Sequence, residues 1–96
     1  MNRVLLSAQI IERKALRYTP AGLPALDLIL KNECEVTEAQ SPRKVTLEIR
    51  SVAIGPIAMQ LNKMEIGSPI GVAGFLGMSR AGRGVLLHIT ELNESI

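Results

Sequence analysis

From Val4 to Arg17 apolar and polar residues mix without a proline or glycine, and the pattern predicts a long first strand. Leu5, Leu6, Ile10 and Ile11 are separated by Ser7, Gln9 and Glu12, so the period of two slips between Ala8 and Ile11. A slip of that kind predicts a β-bulge, the device by which one strand bends between two halves of a small closed sheet. Leu26, Leu28 and Leu30 alternate with Asp27, Ile29 and Lys31 as a second strand. Val45, Leu47 and Ile49 alternate with Lys44, Thr46, Glu48 and Arg50 as a third, with one face expected in the core and the other in solvent. The polar, turn-rich segment from Val36 to Pro42 between them is expected to be a loop.

After Gly55 the period changes. Ile57, Leu61 and Met64 fall at helical spacing, Pro56 suits a first helical turn and Gly67 suits a stop, so a short helix is expected to plug one end of the sheet, with Met59 and Met64 as packing residues. Ile70, Val72 and Gly74 then alternate with Gly71, Ala73 and Phe75 as a fourth strand. Its glycines predict strong coiling or a close backbone approach. Beyond the Met78–Gly84 loop, Val85, Leu87 and Ile89 alternate with Leu86, His88 and Thr90 as a fifth. The expected fold is all-β: a five-stranded OB-fold barrel with a short helix between strands 3 and 4, one domain over residues 1–96.

Composition narrows this picture. A chain of 96 residues builds one core, and with Tyr18 and Phe75 as its only aromatics that core must be aliphatic and β-branched, which favours strands. No apolar run approaches the roughly 18 residues that cross a bilayer, and the N-terminus lacks a signal-peptide pattern, so the expected location is cytoplasmic, with no membrane partner. Cys34 stands alone and is expected to be a small core hydrophobe. No cofactor or metal is indicated. His88 is the only histidine and sits among apolar neighbours, no carboxylate pair or Ser-His-Asp relay is placed for catalysis, and enzyme activity is not expected.

The net charge of +2 is only mildly basic, so its distribution matters more than its sum. Arg13, Lys14 and Arg17 cluster near the end of the first strand, Arg43, Lys44 and Arg50 lie on or near the third, and Arg80 and Arg83 occupy a glycine-containing loop free of acids. Glu33, Glu35 and Glu38 gather elsewhere, as do Glu91 and Glu94. The pattern predicts a basic face and an acidic side; charge scattered for solubility alone is the competing reading.

The corner Leu16-Arg17-Tyr18-Thr19-Pro20-Ala21-Gly22-Leu23-Pro24 joins the first two strands as a hairpin. It resembles the first hairpin of bacterial single-stranded-DNA-binding proteins, and the resemblance continues through Val52-Ala53-Ile54-Gly55, the segment from Gly67 to Leu76, and Leu86-Leu87-His88-Ile89. Within that superfamily the chain most resembles the primosomal replication protein N (PriB) family. That resemblance implies a homodimer of OB-folds that binds single-stranded DNA, stabilises the PriA helicase on DNA and helps recruit DnaT so that the replicative helicase is reloaded during replication restart. Full-length single-stranded-DNA-binding proteins carry a flexible acidic tail, which is not expected in a sequence that stops at Ile96.

The resemblance places the binding groove on strands two and three with the loops between strands one and two and strands four and five. Arg80 falls where the family carries basic loop residues, with Arg83 close by, and Arg17 lies beside the matching corner. Thr46 stands where the family's best-known member has a base-stacking tryptophan, and Glu33 where the family can have arginine. The expectation is therefore weak, sequence-independent binding through phosphate contacts from Arg17, Lys44, Arg50, Arg80 and Arg83, with a log–log salt slope of roughly −3 for about four phosphates. Tyr18 either stacks on a base or caps the corner against the barrel. Two other classes compete: a protein adaptor with little or no DNA affinity, and a small enzyme subunit that needs a partner's chemistry.

Overall fold

The computed structural model describes residues 1–80, 82 and 84–93. Six strands and one helix follow in the order β1 (Val4–Arg13), β2 (Arg17–Tyr18), β3 (Pro24–Glu38), β4 (Ser41–Ile54), α1 (Pro56–Asn62), β5 (Pro69–Met78) and β6 (Val85–Leu92). The two-residue β2 pairs only with the start of β3, so five strands form the body of the structure, and strands two to five of the sequence reading are β3 to β6.

The sheet closes on itself because β1 serves two neighbours. Its first half pairs antiparallel with β5, from Val4 opposite Gly74 to Gln9 opposite Pro69, and its second half pairs with β3, from Gln9 opposite Lys31 to Arg13 opposite Leu28. Between Ile10 and Glu12 the register shifts, where the break in alternation predicted a bulge. The first strand ends at Arg13 rather than Arg17, because the chain leaves β3 there and rejoins it as β2. Closure is completed by β5 with β6 and by a short parallel pairing of β4 with β6, Ser51–Ala53 against Leu87–Ile89. The result is a five-stranded OB-type barrel with its helix between β4 and β5.

Ile10, Leu26, Leu30, Val72 and Leu87 fill the barrel, and Leu61 and Ala58 of α1 plug one end. Pro56 occupies the first turn of that helix, where its missing N–H is not needed, and Gly55 at the N-cap takes a φ of 97° that few other residues tolerate. The two methionines of this region part company: Met64 packs on the core, whereas Met59 points outward and is exposed.

The expected loop from Val36 to Pro42 is instead the tip of a long hairpin. Strands β3 and β4 stay in register out to Glu38 opposite Ser41, and the turn is only Ala39-Gln40, both with positive φ (51° and 66°). Those angles fit a type I′ hairpin, whose usual Asn-Gly signal this chain lacks. Pro42 is tolerated because the pair Thr37–Pro42 next to the closing pair is a non-hydrogen-bonded one, where a missing N–H costs no ladder bond.

The hairpin outruns the barrel. Among the described residues no other strand pairs with β3 past Lys31 and none with β4 before Ser51, so an arm projects from the body. Two expectations fail for that reason. Leu47 and Cys34 lie on the face that continues the core side of Leu28 and Leu30, but no barrel lies beneath them and both are exposed. Asn32 marks the boundary: it is buried, and its Nδ2 donates to the Ser7 carbonyl at 2.7 Å.

Two substitutions probe this architecture. At Gly74, beside the β5 register shift, an added Cβ would sit 1.8 Å from the His88 carbonyl oxygen. Gly74→Ala is expected to destabilise the fold by about 3 kcal/mol or more, read by urea denaturation. Replacing the turn by Ala39→Asn/Gln40→Gly relieves left-handed strain and should raise stability by about 1 kcal/mol in the same assay.

Candidate nucleic-acid interface

The corner between β1 and β3 is built from local hydrogen bonds. Gly22 N–H donates to the Thr19 carbonyl at 2.8 Å, closing a turn with Pro20 in its second position, and the Leu23 N–H donates to Thr19 Oγ1 at 3.1 Å. Gly22 has φ of 87°, which turns the chain back into β3. This holds Arg17 beside β3 at the rim of a groove of about 590 Å³.

The groove runs over the outer face of β3 and β4, between the β1–β3 corner and the segment that follows β5. Ile29, Val52 and Ile54 form much of its apolar floor. Lys14, Arg17, Arg50 and Arg80 line it, so cations from three separate stretches of sequence converge on one surface. Alternation explains Arg50: Ser51 and Ala53 face the core, which turns Arg50, Val52 and Ile54 to the groove. Among the sequence-selected residues, Arg17, Arg50 and Arg80 are brought together here, while Tyr18 and Lys44 lie outside the lining. Tyr18 follows Arg17 on β2, so alternation turns it to the other side, where it is exposed. Lys44 sits on the arm opposite Glu35. Arg83 and Glu94 lie outside the described residues.

The basic cluster at the end of β1 divides by role. Arg13 turns its guanidinium to the C-terminal end of α1, donating to the carbonyls of Leu61 (3.0 Å) and Met64. A cation there satisfies helix-end carbonyls and favours the helix dipole, so Arg13 ties strand to helix. Arg17 meets Asp27 in a two-pronged contact, Nε to Oδ2 at 2.7 Å and Nη2 to Oδ1 at 3.2 Å. Hydrogen bonding to Arg17 holds the Asp27 carboxyl below the usual carboxylate range, against the opposing effect of partial burial, and Lys14 adds to the lowering. The Arg17 guanidinium is correspondingly raised. Lys14, Arg50 and Arg80 have no carboxylate within 4 Å among the described residues.

The groove loses its positive character toward the arm. Thr46 faces the same side as Arg50, but its cross-strand partner is Glu33, and Glu48 shares that face. Glu33 also holds Lys31 at 2.9 Å. The basic surface is therefore confined to the barrel.

One feature of the site escaped the sequence reading. Phe75 and His88 are cross-strand partners on β5 and β6, and their rings stack with centroids 4.6 Å apart and planes 6° from parallel. His88 lines the groove. The two residues are thirteen positions apart in sequence, and only the β5–β6 register brings them face to face; the available signal was that each sat on the polar-phase side of its strand.

A family model described as "Another single-strand binding protein family" matches residues 2–91. Replication restart protein PriB of Bordetella pertussis is 49% identical over 80 residues, covering 83% of this chain and 75% of its own length. The chain belongs to the PriB family. PriB of Neisseria gonorrhoeae is 37% identical over 94 residues, 97% of this chain and 93% of that one. Among solved structures, PriB from Ralstonia solanacearum superposes with a TM-score of 0.88 at 33% identity, covering 98% of this chain and 97% of its own. The small single-stranded DNA-binding protein from Streptomyces coelicolor reaches a TM-score of 0.73 at 14% identity, which shows a shared fold.

The Arg17–Asp27 pair yields a pH prediction. Because the carboxyl is lowered in the fold, the pair contributes stability above the unfolded carboxylate pKa of about 4, and that contribution fades as pH falls through the lower folded value. The pair is largely exposed and screened, so Asp27→Asn should cost under about 1 kcal/mol at pH 7. Urea denaturation at pH 7 and pH 3 should show the difference from wild type closing at the lower pH.

Proposed function

We propose that this groove binds single-stranded DNA, without sequence preference, as part of replication restart. The observation that carries the reading is the convergence of Lys14, Arg17, Arg50 and Arg80 on one groove across the barrel. Phosphates bind clustered cations by releasing condensed counterions, and an OB-type groove tracks a flexible backbone without needing base-specific contacts. The relatives' name, replication restart protein, and the description of the matching family as single-strand binding support the same role. In this reading the protein works in the cytoplasm, stabilises the PriA helicase on DNA and helps recruit DnaT.

It does so as a homodimer. The arm offers two unpaired strand edges and an apolar face on which Val36 (43% exposed) and Leu47 (36%) have no barrel to cover them. A projecting two-stranded ribbon is marginal alone, and a second copy covers both its edges and its apolar side.

A specific observation also favours the adaptor reading: Asp27 already occupies Arg17, and Thr46 offers no ring on the face it shares with Arg50. The two are separated by fluorescence anisotropy of a labelled 30-mer at 50 and 200 mM salt. With three to four phosphates neutralised, log affinity should fall with log salt at a slope of roughly −2 to −3. Arg50→Ala/Arg80→Ala should reduce the steepness by roughly 1.4. A slope near zero overturns the phosphate groove, and absence of binding at 50 mM salt favours the adaptor.

A further inference from the structure

The stacked pair of Phe75 and His88 is unusual in where it lies. The core of this protein is aliphatic, and neither ring belongs to it: Phe75 is 40% exposed and His88 is half-buried at the groove. Leaving a phenyl ring so open forfeits burial that the same residue would gain inside. The backbone around the pair is cleared as well. At Gly77, next along the same face of β5, an added Cβ would lie 3.5 Å from both Cδ2 and Nε2 of the imidazole, so any side chain longer than alanine's would crowd the ring. His88 is the cross-strand partner of Val52 on β4, two residues from Arg50, and Phe75 lies on the strand that leads to Arg80.

We propose that the Phe75–His88 stack is the base-stacking platform of the groove, receiving an unpaired nucleobase while Arg50 and Arg80 hold neighbouring phosphates. This rests on the single-strand-binding reading above and adds the element that reading lacks. Two rings already parallel present an extended π-surface, and every nucleobase has a face that can continue such a stack, whatever its sequence. Phe75 joins the groove through its stack on His88, which lines it, whereas Tyr18 is exposed on the side of β2 opposite Arg17 and stacks on no ring among the described residues, and position 46 carries a threonine. The platform sits on rigid paired strands, which fixes the rings before the nucleic acid arrives and reduces the ordering cost of binding.

The test compares oligo(dT)30 with a 30-mer of abasic sites of equal length and charge, at 50 mM salt, using wild type and Phe75→Leu, which keeps an apolar side chain and removes the ring. Wild type is expected to prefer the base-bearing strand on the order of 5- to 100-fold. Phe75→Leu is expected to lose most of that preference while keeping its salt slope. Equal wild-type affinity for both strands, or a folded Phe75→Leu that retains the preference, overturns the platform and leaves the phosphate groove standing. Binding of neither strand overturns both. Wild-type protein also provides a test that needs no variant: irradiation of a 30-mer carrying 5-iodouracil, followed by peptide mass spectrometry, should place the crosslink on Phe75 or His88. Crosslinks confined to Tyr18 would overturn the assignment.

Discussion

Every strand of a closed five-stranded barrel pairs with two neighbours, and β1 alone must divide its length between them, bending to meet β5 with its first half and β3 with its second. The register shift between Ile10 and Glu12 lets its first half follow β5 and its second half follow β3. Much else depends on that bend. It turns Ile10 into the middle of the core, and it leaves the Ile10 carbonyl to accept the Gly67 N–H at 2.7 Å, which anchors the chain after the helix. It also carries Arg13 to the end of α1 and Lys14 to the groove. The plug, the barrel wall and the rim of the groove are set by one local irregularity.

The electrostatics of the groove follow from position more than from total charge. At physiological ionic strength charges interact over about 8 Å, so an excess of two positive charges spread over the molecule would attract a polyanion weakly. Four cations on one groove act together over that range, while the carboxylates of Glu33, Glu35 and Glu48 lie on the arm. Glu12 and Asp27 are the exceptions, acidic residues in the groove lining itself, and Asp27 lies against Arg17. Its contact with Arg17 orients the guanidinium and moderates the local field, so a phosphate arriving there must compete with a carboxylate already in place.

This balance distinguishes the chain from a general single-strand-binding surface rich in aromatic residues. With no tryptophan anywhere, the groove offers a polyanion charge more than aromatic surface, and charge-driven association is sensitive to its ionic surroundings. The stacked rings on β5 and β6 offer a limited apolar foothold beside the cations.

Local periodicity determined a great deal: five strands, the bulge in the first, the Thr19–Gly22 corner and the helix opened by Pro56 were all readable because each depends on residues within a few positions of one another. What lay beyond reach depended on where the barrel stops. Leu47 and Cys34 carry the alternation of core residues, yet are exposed, because alternation reports which face a side chain takes and not whether anything covers that face. Val36–Pro42 looked like a loop because polar residues and proline suit both a turn and a solvated ribbon, and strand pairing decided for the ribbon. The cluster of Arg13, Lys14 and Arg17 was legible as charge, but its division between a helix end, a groove and an ion pair required the positions of Leu61, Met64 and Asp27. The same holds for Phe75 and His88, whose rings meet only through the register of two strands joined by a loop, a long-range relation that short-range pattern does not encode.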